Sequence, residues 1–191
     1  MQKKEVRKKF RTNWRRKCNK KTIKSNYNKK IKEKIQKAKN YSLSKLDILQ
    51  VIEKSEHFLG IFSSDQLTSL NILNYPSVFI TNTDQKGLAG SHWVAIRISA
   101  KNIEIFDPLG GRTSLWGSYP VDFLQFFKKY CFSHQFKVSP LLQPPFSQTC
   151  GLYCTLFVKL RFYYTFNQIV GMFSLALSKN DKILFQLLKN I

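Results

Sequence analysis

HWVAIRISAKNIEIFDPLGG, residues 92–111, contains two apolar alternating runs joined by a Lys101-Asn102 turn. Alternation with period two places successive side chains on opposite faces of a strand, so the runs 92–99 and 102–111 predict an antiparallel hairpin. Pairing Ile98 with Ile103 brings position 92 roughly opposite position 109. His92 and Asp107 therefore fall within a residue or two of each other at one edge of the sheet. His92 starts its strand directly after the Gly-containing loop DQKGLAGS (84–91), and Asp107 ends the next. In isolation, each has a plain alternative: a packed histidine beside Trp93, and an Asp-Pro turn residue.

Upstream of the hairpin, Pro76 opens the apolar, β-branched run SVFITNT (77–83), predicted as a strand. FLGIFSSDQL (58–67) reads as a hydrophobic turn-and-start segment with Ser64 and Asp65 as caps. Residues 42–56 read as a helix capped by Ser44, with Asp47 three positions on and an apolar face of Leu46, Ile48, Leu49, Val51 and Ile52. Downstream, VDFLQFFKKY (121–130) has helical spacing, and FKVSPLLQ (136–143) suits a further strand. After the loop QPPFSQT (143–149), the long apolar run CGLYCTLFVKLRFYYTF (150–166) predicts a buried helix. Leu175–Ile191 predicts a final amphipathic helix with Ser178 or Asn180 near its start.

Charge divides the 191 residues unevenly. The total is +21, and residues 1–40 hold 18 Lys/Arg against Glu5 and Glu33, a net of +16. That stretch has few apolar residues, no Gly and no Pro, and composition alone predicts a solvated, disordered arm. Within it, Lys29 to Asn40 is compatible with a helix ordered by an anion. The expected organisation is a basic arm at 1–40, binding DNA by charge density, and a catalytic domain at 41–191. Four cysteines, Cys18, Cys131, Cys150 and Cys154, are too few and too irregular for a disulfide framework, which points to a reducing compartment. No apolar run approaches the length of a membrane span, and no secretory h-region is present.

The chemistry concentrates at Cys150. A helix N-terminus favours negative charge and so lowers a thiol pKa, and Cys150 opens the longest apolar helix after a Pro-rich loop. Gly151 beside it would allow close approach of a substrate backbone. Cys154, one turn further along the same face, suits a structural thiol. His92 as base, with Asp107 fixing its tautomer, would complete a nucleophilic triad. The developing oxyanion needs donors: the Cys150 N–H and a glutamine side chain from the preceding loop. Gln143 and Gln148 both qualify.

These residues resemble the adenovirus-type cysteine endopeptidases, the adenain family, which is related to the ubiquitin-like-protein deconjugases. The resemblance spans most of residues 57–166. It rests on HFLGIF (57–62), SVFITNT (77–83), GSHW (90–93), FDPLG (106–110) and Q-x6-CGLYC from Gln143 to Cys154. It implies His92 as general base, Asp107 as third member and Cys150 as nucleophile. It also selects Gln143, seven residues before the cysteine, as the oxyanion residue. The implied fold is α+β: a mixed central β-sheet flanked by helices, with the nucleophile at the start of a central helix, as in papain-like and ubiquitin-like-protease cores. Adenoviral enzymes usually carry Glu where Asp107 stands, and the deconjugases carry Asp. The basic arm is not part of the adenoviral pattern. Both departures point to a divergent adenovirus-like source, such as a polinton or adintovirus element.

The resemblance further implies a virion-maturation protease that cuts capsid and core precursor proteins in the host nucleus and virion. It needs no metal or small molecule, and its family is activated by viral DNA and by a capsid-derived peptide joined through a cysteine. Cys131 lies in the region of that cysteine, but its surroundings suit a half-buried thiol. A monomer without membrane contact is expected. Two rivals make other predictions: a deconjugase cutting ubiquitin-like modifiers after Gly-Gly, and an inert protease-like domain on a DNA-binding protein. HFLGIF and the seven-residue Gln-to-Cys spacing argue against the first, and four intact site positions argue against the second.

Overall fold

The computed structural model describes residues 21–52, 57–111 and 119–191. Five strands form one mixed sheet in the order β1-β2-β3-β4-β5: β1 Phe58–Phe62, β2 Ser77–Asn82, β3 Trp93–Ile98, β4 Asn102–Phe106 and β5 Gln135–Val138. The outer pairs β1/β2 and β4/β5 are parallel, and the two inner pairs are antiparallel. The hairpin register has Ile98 opposite Ile103 and Ala95 opposite Phe106, as the alternation in the sequence predicts.

Strand periodicity sorts the side chains into two cores. Phe79, Val94, Ile96, Ile98, Ile103 and Ile105 face helix α3 (Val121–Lys128) and pack on its Phe123, Phe126 and Phe127. Val78, Ile80, Trp93, Ala95 and Phe106 face the opposite way, against helix α4 (Cys150–Leu160). Phe106 stacks on Phe157 of that helix with centroids 4.6 Å apart. Ten of the eleven α4 residues are buried, so this helix is apolar all round because it is covered all round. The sheet is thus flanked by helices on both faces, an α+β architecture with the cysteine-bearing helix at its centre.

Several expectations need correction. Residues 58–62 are not a turn-and-start segment but β1, paired in parallel with β2 across an irregularity at Gly60. The following 3-10 turn, Ser64–Leu67, is capped one residue earlier than expected, where the Ser63 N–H donates to Gln66 Oε1 at 3.0 Å. The helix expected over 42–56 is short: α2 covers Lys45–Leu49, with Ser44 and Asp47 forming a reciprocal capping box. The central helix ends at Leu160 rather than 166. Thr165 accepts from the Gln168 N–H and begins a separate helix α5, Phe166–Val170. The last helix, α6, is Asn180–Asn190.

The largest correction concerns the arm. Lys21–Ala38 form an 18-residue helix, α1, so folded chain begins well before residue 41. Tyr27, Ile31, Ile35 and Ala38 recur at helical spacing and are buried in the core with α4 and α6. Lys34 and Lys37 both pair with the Asp47 carboxylate, at 2.7 and 2.6 Å. Lys159 of α4 lies 3.9 Å from the centroid of the Tyr27 ring, in cation–π contact. Averaging composition over forty residues hid a stripe one side chain wide. The remaining arm, residues 1–20 with Cys18, lies outside the described residues. Among the described residues, no helix is long and apolar enough to cross a membrane.

Candidate active site

The site assembles where α4 begins and the β3–β4 hairpin ends. Residue 92 immediately precedes β3, and its carbonyl accepts the Thr83 N–H at 2.9 Å, which ties the histidine to the end of β2. Asp107 immediately follows β4 and is nearly fully buried. The His92 Nε2 and Asp107 Oδ1 atoms are 2.7 Å apart. That leaves Nδ1 as the ring nitrogen for another partner, and Cys150 is the second side chain that favours the charged form of this imidazole.

Four contacts fix the aspartate. The Leu109 N–H donates to Oδ1 at 2.8 Å and the Tyr119 hydroxyl to Oδ2 at 2.8 Å. Its own N–H donates to Ser139 Oγ at 2.8 Å, and the Ser139 hydroxyl returns a bond to the Asp107 carbonyl at 2.6 Å. Glycine is required nearby. A Cβ on Gly111 would lie 2.4 Å from the Tyr119 hydroxyl oxygen, and one on Gly110 would lie 2.3 Å from the Leu141 nitrogen. Gly110 also holds φ at +71°, in the region that favours glycine.

Electrostatics follow from these contacts. Burial opposes the charged imidazole, but the Asp107 hydrogen bond, the Cys150 hydrogen bond and both negative charges prevail and raise the His92 pKa to about 9. Burial likewise pushes the Asp107 carboxyl up, and the His92 bond, its charge, Tyr119 and the Leu109 N–H outweigh it, holding the group below the usual carboxylate range. Such a pair retains a proton on the imidazole at neutral pH.

Cys150 is the first residue of α4, after Thr149. The Leu152 and Tyr153 N–H groups bond the Thr149 carbonyl, so the Cys150 N–H lies ahead of the first intrahelical bonds. Cys154 behaves differently. It is fully buried, its thiol donates to the Trp93 carbonyl at 3.2 Å, and burial first, then the nearby Cys150 and Asp107 charges, drive its pKa up. Gly151 serves packing rather than substrate approach, since a Cβ there would meet Ile48 at 3.0 Å and Trp93 at 3.3 Å.

The two glutamines separate clearly. Gln148 is exposed and its Oε1 accepts the Ser42 hydroxyl. Gln143 is buried; its Nε2 donates to the Ser147 carbonyl at 2.5 Å, and its own N–H bonds the Pro108 carbonyl at 2.8 Å. The Leu142 N–H bonds the same Pro108 oxygen at 2.9 Å, so the loop carrying Asp107 and the loop carrying Gln143 are directly joined. Sequence reasoning missed Tyr119, Ser139 and Asp181, whose contacts join residues distant along the chain. Cys131 is half-buried, with its thiol directed to the Lys128 carbonyl at 3.2 Å, away from this cluster's hydrogen bonds. Among the described residues, no group of three or more His, Cys, Asp or Glu is gathered as for a metal ion.

A thiol opening the central helix, a histidine that it acts on electrostatically, and a buried carboxylate behind the histidine define a papain-like cysteine protease on this α+β frame. The family model described as adenovirus endoprotease matches residues 58–183. The chain belongs to that family of viral cysteine endopeptidases, which are hydrolases acting on protein substrates. No curated protein matches it.

Proposed function

We propose that this endopeptidase is a virion-maturation protease in which Cys150 attacks the scissile carbonyl, His92 moves the proton, Asp107 orients the imidazole and Gln143 binds the oxyanion. The observation that carries the reading is the His92–Asp107 bond at 2.7 Å on an imidazole whose charged form Cys150 also favours. The Cys150 sulfur, ionised beside the His92 imidazolium, forms a bond to the carbonyl carbon while the C=O electron pair moves onto oxygen. The Cys150 N–H and the second Nε2–H of Gln143 supply donors for that oxygen; the first is held by Ser147. His92 then protonates the leaving amine as the C–N bond breaks. A water, deprotonated by His92, releases the acyl group as a carboxylic acid and restores the ion pair.

The proposed substrates are viral capsid and core precursor proteins, cut in the nucleus and the particle. Viral DNA is the proposed cofactor. The net charge of +16 over residues 1–40 supports this, as do Lys29, Lys30 and Lys32, which are exposed on α1. An activating peptide is the second cofactor this reading admits; Cys131 and the fully exposed Phe132 beside it form an accessible place for one.

The test incubates virion precursor proteins and modifier-fusion proteins with wild type and Cys150→Ala, with and without DNA. The expected result is cleavage of the precursors by wild type alone, faster on DNA and slowed steeply by added salt. Rapid cleavage of modifier fusions with the precursors left intact would overturn it.

A further inference from the structure

The segment between Gln143 and Cys150 is not held in shape by its own preferences. Phe146, in its middle, sits at φ +63° with its ring fully exposed, a conformation L side chains rarely adopt. A non-glycine residue persists there only where surrounding structure holds it. The loop beside it is tied to the start of α6, more than thirty residues further along the chain. The Asp181 carboxylate accepts the Ser147 hydroxyl on Oδ2 at 2.7 Å and the Thr149 hydroxyl on Oδ1 at 2.9 Å. The two hydroxyl oxygens are also 2.6 Å apart, so their two protons are shared among these three contacts. The Tyr153 hydroxyl, one helical turn beyond the cysteine, donates to Oδ1 at 3.3 Å. Asn180 beside it is fully buried and donates to the Leu142 carbonyl at 2.8 Å, next to Gln143.

We infer that Asp181 is a positioning residue for the oxyanion site. The inference rests on the proposed roles of Gln143 and Cys150, because each of the two proposed oxyanion donors is one short link away from this carboxylate. Ser147 takes the Gln143 amide on its carbonyl and gives its hydroxyl to Asp181. Thr149 directly precedes the Cys150 N–H and gives its hydroxyl to the other carboxylate oxygen. One carboxylate thus sets the spacing of two donors that come from opposite ends of a strained loop. A hydrogen-bond donor stabilises a transition state only when held at the position the oxyanion will occupy, so a small drift of either donor slows acylation while leaving the thiol itself reactive.

The test separates chemistry that builds an oxyanion from chemistry that does not, using the full-length chain. In Asp181→Ala, kcat for a peptide amide should fall ~10-fold or more, part of the ~10²–10³ that loss of one oxyanion donor brings, with KM within about 3-fold. Affinity for a peptide aldehyde, whose thiol adduct carries the oxyanion, should fall by a similar factor. Alkylation of Cys150 by iodoacetamide, a direct displacement without an oxyanion, should keep its wild-type rate and pH dependence. Asp181→Asn, which retains one acceptor, should lie between. An unchanged kcat, or amide hydrolysis and alkylation falling together, would overturn the inference. Where Asp181→Ala does not fold, Ser147→Ala removes a single hydroxyl and must show the same split. Gln143→Ala is measured alongside. If it too hydrolyses amides normally, the oxyanion reading itself fails; if it is impaired while Asp181→Ala is not, only the role of Asp181 fails.

Discussion

His92 Nε2 and Asp107 Oδ1 meet at 2.7 Å across a hairpin, fifteen residues apart in sequence. The contact is partly buried, and Asp107 is held from its other sides by Tyr119, the Leu109 N–H and Ser139. Asp107→Asn keeps the size of the side chain and removes the charge. The expected outcome is a fall in kcat of ~10²–10⁴-fold, in the range that positioned acid–base catalysis contributes. The basic limb of the pH–rate profile should also move below about 9, because the Asp107 bond and charge are leading causes raising the His92 pKa. Steady-state kinetics from pH 5 to pH 10, roughly the span over which such groups titrate, measures both effects.

The same pair makes stability depend on pH. His92 has a folded pKa of about 9 against an ordinary value of 6.5, so its contribution is fully present below 6.5 and is lost as pH rises through about 9. Asp107 has a lowered folded pKa, so its contribution is present above 3.8 and disappears as pH falls through the folded value. Thermal unfolding should therefore show a stability decline between pH 6.5 and about 9, amounting to no more than roughly 3 kcal/mol. His92→Ala should lack that decline.

A second buried charge cluster predicts a purely structural effect. Glu104 on β4 accepts two bonds from Arg161 at the end of α4, at 2.6 and 2.8 Å, with Arg97 at 3.7 Å. Glu104→Ala strands a largely buried guanidinium, and breaking a buried pair on one side costs about 3–5 kcal/mol. Urea denaturation should register the loss. The activity per folded molecule should remain near wild type, since Glu104 and Arg161 make none of the contacts to His92, Asp107 or Cys150.

Truncation tests where the folded domain begins. Deleting residues 1–20 removes none of the α1 residues, Lys21–Ala38. Deleting residues 1–40 strips Tyr27, Ile31, Ile35 and Ala38 from the core and the Lys34 and Lys37 partners from Asp47. At about 1.5–3 kcal/mol per fully buried large apolar side chain, that truncation should destabilise the domain severely. DNA affinity measured against salt on the shorter truncation then reports the contribution of residues 1–20 with the α1 core contacts retained.

The hairpin was legible because period-two alternation and a short turn determine the register locally, and register alone brings position 92 near position 107. Cys150 was legible because a Pro-rich loop meeting an apolar run marks a helix start. Two features escaped for different reasons. The α1 stripe is a pattern of single positions inside a charge-dominated segment, invisible to composition and visible only to periodicity. Asp181, Tyr119 and Ser139 reach their partners through tertiary contacts between segments 12 to 34 residues apart, and no local pattern encodes which hydroxyl meets which carboxylate. Gly151 was misread because a glycine next to a nucleophile suits both open access and close packing. The atoms a Cβ would meet, Ile48 and Trp93, belong to other elements.

Cys150, activated by His92, is the proposed nucleophile. Its most direct test is covalent capture by a peptidyl acyloxymethyl ketone, followed by intact-mass measurement and mapping of the modified residue. A single adduct on Cys150 is expected, lost in Cys150→Ala and strongly slowed in His92→Ala, with Cys154 unmodified in the native protein. An adduct on Cys131 or Cys154, or capture at Cys150 at an undiminished rate without His92, would contradict it.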